Sequence, residues 1–256
     1  MKEFFFDQLG RKINIANSPK RIISLVPSIT ELVIDLGLEK ALVGRTKFCV
    51  HPKSKLQPIF MVGGTKQIHF DRIAALKPDL IIANKEENNK AQIEQLAKDY
   101  PVWISDIADF EAALGMIKDL GEVLRKEAQS LAIIRQSREF IAQLKTTKPK
   151  KVAYLIWRNP YMTIGKDTYI HDMLRLTGFE NIYGECTRYP TFTIADLQKR
   201  QPDMLLLSSE PFPFKQKHIA ELAIDFPSIP IVLVDGEAFS WYGTRFLKTF
   251  DYLKNL

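Results

Sequence analysis

Leu76-Lys77-Pro78-Asp79-Leu80-Ile81-Ile82 returns later in the chain as Arg200-Gln201-Pro202-Asp203-Met204-Leu205-Leu206. A residue before proline is steered away from helical backbone, and the apolar run that follows is short, so each stretch reads as helix, Pro-Asp turn and buried strand. The two prolines lie 124 residues apart. Working outward, Arg21-Ile22-Ile23-Ser24-Leu25 is echoed by Lys151-Val152-Ala153-Tyr154-Leu155 at an offset of 130, and Tyr100-Pro101-Val102-Trp103-Ile104 by Ile229-Pro230-Ile231-Val232-Leu233 at 129. Any one of these landmarks is common in α/β proteins. Three in the same order at nearly one offset argue for two copies of one unit.

Within the first copy, strands alternate with helices. The run Ile22 to Val26, closed by Pro27, reads as a buried strand. Ser28 with Glu31 three residues on predicts a capping box for a helix reaching Leu38. Ala41 to Gly44 predicts a strand, Asp71 to Leu76 a helix, Leu80 to Ala83 a strand, Asn88 to Asp99 a helix and Pro101 to Ile104 a strand. That alternation implies parallel sheets with both faces covered. Between the copies, Glu122 to Lys145 holds no Gly or Pro, and Leu124, Ala128, Leu131, Ile134, Ile141 and Leu144 keep a helical period. The expectation is one rigid helix of roughly 36 Å, at about 1.5 Å per residue. The predicted fold is therefore α/β, with an N-terminal lobe over 1–120, a bridging helix over 121–148 and a C-terminal lobe over 149–256.

Composition removes several function classes. The net charge of +6 is mild for 256 residues, and the one tight basic cluster is Lys148, Lys150 and Lys151, so no nucleic-acid footprint is present. Cys49 and Cys186 are too few for a disulfide framework and are expected as free thiols. No run approaches the roughly 20 apolar residues of a membrane span. Met1 to Phe6 is too short for a signal-peptide core, which leaves a cytoplasmic protein or one whose export signal has been removed. Glycine-rich phosphate loops and a Gly-x-Ser-x-Gly elbow are absent, so nucleotide binding and serine hydrolysis have no support.

Open α/β sheets bind ligands at the carboxyl ends of their strands. The loops expected there are Pro27-Ser28, Arg45 to Pro52, Val62 to Thr65 with Gly64, Trp157 to Tyr161 with Arg158, Arg188 to Pro190 with Tyr189, and Gly236 to Gly243 with Glu237, Phe239, Trp241 and Tyr242. Aromatic residues gathered in loops favour a large flat or apolar ligand, held in a cleft between the lobes. The four His stand at 51, 69, 171 and 218, no two closer than 18 residues, so a protein-held metal site is not expected. Cys49 and His51 could reach one metal, or be a buried thiol beside a surface imidazole.

Asp7-Gln8-Leu9-Gly10-Arg11, Arg21 to Ser28, Glu31-Leu32, Ala75 to Ile81, Gly178-Phe179-Glu180-Asn181 and Ser240-Trp241-Tyr242-Gly243 together resemble the substrate-binding proteins of ABC importers for cobalamin, haem and iron–siderophores, closest to the cobalamin-binding members. The resemblance implies two Rossmann-like lobes, a monomer, no enzymatic activity, a periplasmic or cell-envelope location, and a corrinoid or other metal chelate as ligand, the metal being carried by the ligand. It implies that Phe48, Tyr189, Trp241 and Thr65 stand at or near ligand-contacting positions. It also implies docking of each lobe on a permease through a carboxylate: Asp71 in the first lobe and, with Ala195 at the matching position, Asp196 in the second. The alternatives are a cytoplasmic corrinoid- or tetrapyrrole-binding protein, or a tetrapyrrole chelatase that would pair a His with an acid, such as His51 with Glu237.

Overall fold

The repeated Pro-Asp turns do the same work twice in the computed structural model, which describes residues 3–15, 18–144 and 149–256. Lys77 and Gln201, just before the prolines, are both left-handed, at φ 45° and 49°, which turns the chain out of the preceding helix. The Asp79 N–H donates to the Arg21 carbonyl at 3.0 Å, and its carboxylate accepts from the N–H groups of Lys20 and Arg21 at 2.8 and 2.9 Å. Asp203 donates to the Lys151 carbonyl at 2.7 Å and accepts from the Lys151 N–H at 2.8 Å. Arg21 and Lys151 are themselves matching positions, so the motif fixes one strand beside the next in both copies.

The first part of the chain forms β1 (Glu3–Phe6), β2 (Lys12–Ile15), β3 (Ile22–Ser24), α1 (Pro27–Asp35), β4 (Leu42–Arg45), α2 (Lys53–Leu56) and β5 (Phe60–Met61). It continues through α3 (Phe70–Leu76), β6 (Leu80–Asn84), α4 (Lys90–Asp99), β7 (Val102–Ser105), α5 (Phe110–Val123) and α6 (Glu127–Ile141). The second part forms β8 (Lys150–Leu155), β9 (Tyr161–Met162), α7 (Tyr169–Leu176), β10 (Phe179–Asn181), β11 (Thr191–Phe192) and α8 (Ile194–Lys199). It ends with β12 (Met204–Ser208), α9 (Gln216–Asp225), β13 (Ile231–Val234), α10 (Gly236–Ser240) and α11 (Arg245–Lys254).

Two parallel sheets result, ordered β5-β4-β3-β6-β7 and β10-β8-β12-β13. Matching β3 with β8, β6 with β12 and β7 with β13 gives the same strand order in both, as the repeat requires. Ile22, Ile23, Leu80, Ile81 and Ile82 are fully buried in one sheet, and Val152, Ala153, Leu205, Leu206 and Leu207 in the other, as expected when helices cover both faces.

The chain divides into two compact units. Unit 1 runs to Ile107 and adds Glu111–Ser137 and Tyr242–Arg245; unit 2 holds Ala108–Phe110, Arg138–Trp241 and Phe246–Leu256. The allocation of Tyr242–Arg245 to unit 1 has a physical cause. Arg245 Nη2 donates to Glu31 Oε1 at 2.9 Å and its Nε stands 2.9 Å from Oε2, Thr244 Oγ1 donates to Asp35 at 2.5 Å, and both sides of the ion pair are largely buried.

Three local expectations need correction. The single helix over 122–145 is instead the end of α5 followed by α6, interrupted at Leu124-Arg125-Lys126. Lys126 N–H reaches back to the Gly121 carbonyl at 2.7 Å around Arg125, whose φ is 57°, a helix-ending arrangement usually given to glycine. A β-carbon at Gly121 would collide with Ser130, so α6 folds closely against α5 there. Lys145 and Lys148 fall outside the described residues, as do Met1 and Lys2.

The Ser28–Glu31 capping box does not form. Val26 is the N-cap and makes no side-chain capping bond, Pro27 takes the first helical position, and Glu31 pairs with Arg245. The helix expected from Asn88 starts at Lys90, capped by Asn89, whose side chain accepts from the Gln92 N–H at 3.2 Å.

The N-terminal hairpin β1–β2 has no counterpart among the elements predicted from sequence. It docks on β7 through the Asp7-Gln8-Leu9-Gly10-Arg11 turn. Gln8 N–H donates to the Ile104 carbonyl at 3.2 Å, Gln8 Oε1 accepts from the Asp106 N–H at 2.9 Å, and Arg11 Nη2 donates to the Val102 carbonyl at 2.8 Å.

Candidate functional site

The carboxyl end of the unit 1 sheet is organised by an asparagine that the sequence pattern did not single out. Asn88 is buried. Its amide donates to the Leu25 carbonyl at 3.2 Å and the Thr65 carbonyl at 3.0 Å, and its Oδ1 accepts from the Asn84 N–H at 2.8 Å. It therefore ties the ends of β3 and β6 to the loop after β5. Within that loop Gly64 N–H donates to the Gln67 carbonyl at 2.7 Å, while Lys47 N–H bonds the Gly63 carbonyl at 2.8 Å. A β-carbon on Gly64 would lie 3.3 Å from the Phe48 ring, so the ring rests against loop backbone. Phe48 remains 49% exposed, with Lys47 Nζ 5.0 Å from its centroid. Phe48, Gly64 and Thr65 are thus gathered at one end of the sheet.

Pro27, Ser28 and Tyr242 also belong to unit 1 but are buried. The Tyr242 phenol donates to Glu87 at 3.1 Å. Burial first, and Glu87 next, push its pKa well above the ordinary phenol range, so it stays protonated.

In unit 2, Trp157 follows β8 and is 40% exposed, with its inner edge against Phe212 at a centroid separation of 5.8 Å. Tyr161 stacks on Phe192 at 5.7 Å and 19°, and Arg188 lies 5.5 Å from the Tyr189 ring. These half-exposed rings are what a flat ligand needs. Arg158 is committed elsewhere, to Glu221 of α9 at 2.7 Å. Phe239 is fully buried against Tyr154, centroids 5.3 Å apart. It is a core residue, which corrects its place among the ligand-facing side chains. Glu237 stands in the first turn of α10, half-buried.

Glu210, just beyond β12, was also missed, because a lone acid between Ser209 and Pro211 carries no periodic signal. It lies beneath the last loop and accepts from Ser240 and Trp241 at 2.6 and 3.1 Å. Gly236 makes this packing possible: a β-carbon there would stand 2.5 Å from Ser208 Oγ and 2.6 Å from Glu210 Cγ. Gly236→Ala should cost about 1–3 kcal/mol through this overpacking, to be read as a fall in the urea midpoint.

Of the two sulfur candidates, Cys49 is 1% exposed, its thiol between the hydroxyls of Thr30 and Thr46 at 3.0 and 3.2 Å. Burial raises its pKa, so the thiol is a packed, protonated group while His51 is half-buried. Among the described residues no three His, Cys, Asp or Glu side chains are grouped to hold a metal ion.

The two expected docking carboxylates differ. Asp71 is exposed in the first turn of α3. Ala195 holds the equivalent place in α8, 124 residues on. Asp196 beside it accepts from the Tyr183 phenol at 3.0 Å and faces Arg200 Nε at 3.3 Å.

Two parallel sheets of one strand order, each presenting aromatic loops at its carboxyl end, define an α/β ligand-binding protein of two like units. Residues 22–223 match the family model described as periplasmic binding protein, and the chain belongs to that family. A vitamin B12-binding protein of Vibrio parahaemolyticus is 27% identical over 203 residues, covering 77% of this chain and 74% of its own. Among solved structures, the periplasmic vitamin B12 binding protein BtuF of Vibrio cholerae superposes with a TM-score of 0.78 at 21% identity, covering 93% of this chain and 96% of its own. The periplasmic heme binding protein HutB of Vibrio cholerae gives 0.79 at 22%, covering 92% and 97%. Among the described residues no helix is long and apolar enough to cross a membrane.

Proposed function

We propose that this protein is the substrate-binding component of an ABC importer and takes a corrinoid, or another flat metal chelate such as haem, at the carboxyl ends of its two sheets. The observation that carries this reading is the set of partly exposed rings there: Phe48 in unit 1, and Trp157, Tyr161 and Tyr189 in unit 2. Such surfaces stack on a macrocycle while its metal remains ligated within the chelate. The ligands named for the relatives, vitamin B12 and heme, agree with that surface. The reading includes a permease partner, with Asp71 as the carboxylate that unit 1 offers, and action at the cell envelope.

A thermal-shift series with cyanocobalamin, cobinamide, haemin and a ferric siderophore tests it. A ligand held at 100 times its Kd stabilises the folded chain by about 2.7 kcal/mol, a rise of several degrees in Tm. If none of the four moves the Tm, the proposal fails.

A further inference from the structure

The tryptophan that closes the last loop of unit 2 is held from beneath by a single carboxylate oxygen. Glu210 Oε1 accepts both the Ser240 hydroxyl at 2.6 Å and the Trp241 indole N–H at 3.1 Å. The Glu210 backbone is itself pinned, since Ser208 Oγ donates to the Glu210 carbonyl at 2.5 Å. Gly236 lets α10 start directly against its side chain. The acceptor is thus fixed by β12 on one side and by α10 on the other, while the group it holds is the last residue of unit 2 before the chain enters unit 1.

A carboxylate is a costly choice for this place. Burial raises the Glu210 pKa, and the like charges of Glu237 in α10 and Asp235 ahead of it raise it further, against the opposing hydrogen bonds from Ser240 and Trp241. The phenol of Tyr154 in β8 also feels its charge. A charged acceptor gives shorter and stronger hydrogen bonds than a neutral one, and here both are spent on orienting one residue and its neighbour.

We propose that Glu210 is a positioning residue for ligand recognition: through Oε1 it fixes the indole of Trp241, a ring only 8% exposed, and with it the loop that follows α10 at the carboxyl end of the unit 2 sheet. The ligand part of this inference rests on the function proposed above; the tether itself does not. A loop locked before binding spares its ordering cost at the moment of association.

The test compares Glu210→Gln, which keeps an acceptor oxygen, with Glu210→Leu, which keeps bulk and removes it. In a Trp103→Phe, Trp157→Phe background, Trp241 is the one fluorophore of its type, three Trp being present in all. Glu210→Gln should leave its emission maximum and acrylamide quenching near the parent values. Glu210→Leu should shift emission to the red and increase quenching. In the otherwise unaltered chain, Glu210→Leu should weaken cyanocobalamin or haemin binding by about three- to tenfold, with Glu210→Gln restoring most of the affinity. The parent's Trp241 emission should also titrate above the usual carboxylate range, and Glu210→Gln should lack that step.

Unchanged emission and quenching in Glu210→Leu would overturn the tether. Changed emission with unchanged affinity would overturn its role in recognition. A parent chain that binds none of the tetrapyrroles, yet shows the emission changes, would sink the proposed function and the recognition role while the tether stands.

Discussion

Replacing Arg245 by methionine should destabilise unit 1 by about 3–5 kcal/mol, the usual consequence of leaving one member of a buried ion pair without its partner. Glu31 lies inside α1 with a side-chain exposure of 2%, and Arg245 at 12%. Their two contacts at 2.9 Å hold Tyr242–Arg245, a segment that begins 105 residues after Ser137, onto unit 1. Trp103 is the tryptophan of unit 1, so urea unfolding followed by its fluorescence, with Trp157 and Trp241 replaced by Phe, reports on that unit. The double variant Glu31→Gln, Arg245→Met should recover part of the loss, because the isolated buried charge is then gone. A loss below about 1 kcal/mol in the single variant, the scale of an exposed pair, would show that the pair is solvated.

Asp7→Ala should cost about 3 kcal/mol, the second large effect. Asp7 is 5% exposed. Its carboxylate accepts from the N–H groups of Leu9 and Arg11 at 3.0 and 2.8 Å, from Arg11 Nε at 2.8 Å and from the Ile104 N–H at 3.3 Å. Removing it strands several donors at once, each worth about 1–3 kcal/mol when buried and unsatisfied. Hydrogen exchange should then rise in the β1–β2 hairpin and along β7. Unchanged protection at Ile104 would contradict the docking described for the hairpin.

Much of the architecture was legible because local chemistry and tertiary role coincide. Pro78-Asp79 and Pro202-Asp203 carry their own turn geometry and the acceptor that registers the neighbouring strand. The apolar runs beside them have no stable place except inside a sheet covered on both faces. Phe48, Trp157, Tyr161 and Tyr189 were legible for a related reason: large rings in loops after buried strands are already at the carboxyl ends of those strands.

The misreadings share a cause. Ser28 and Glu31 have the right spacing for a capping box, yet Pro27 has taken the first helical position and a distant guanidinium claims Glu31. Glu122 to Lys145 has an unbroken helical period, but Ser130 packs where Gly121 leaves room, and the chain bends at Arg125 without a glycine to announce it. Phe239 stands among the aromatic residues of the last loop, but one turn of α10 aims it at Tyr154.

The amino-acid sequence alone determined the repeated βα unit, the parallel sheets and the aromatic loops at the carboxyl end of each sheet. These follow from turn residues and from hydrophobic periodicity, which act over a few residues. Tertiary structure alone decided which side chains are held and by what: Asn88 across three carbonyl and amide partners, Glu31 by Arg245, Trp241 by Glu210. A buried polar group takes whatever partner the fold brings within about 3 Å. For Glu31 and Arg245 that partner lies 214 residues away, beyond the reach of any local pattern.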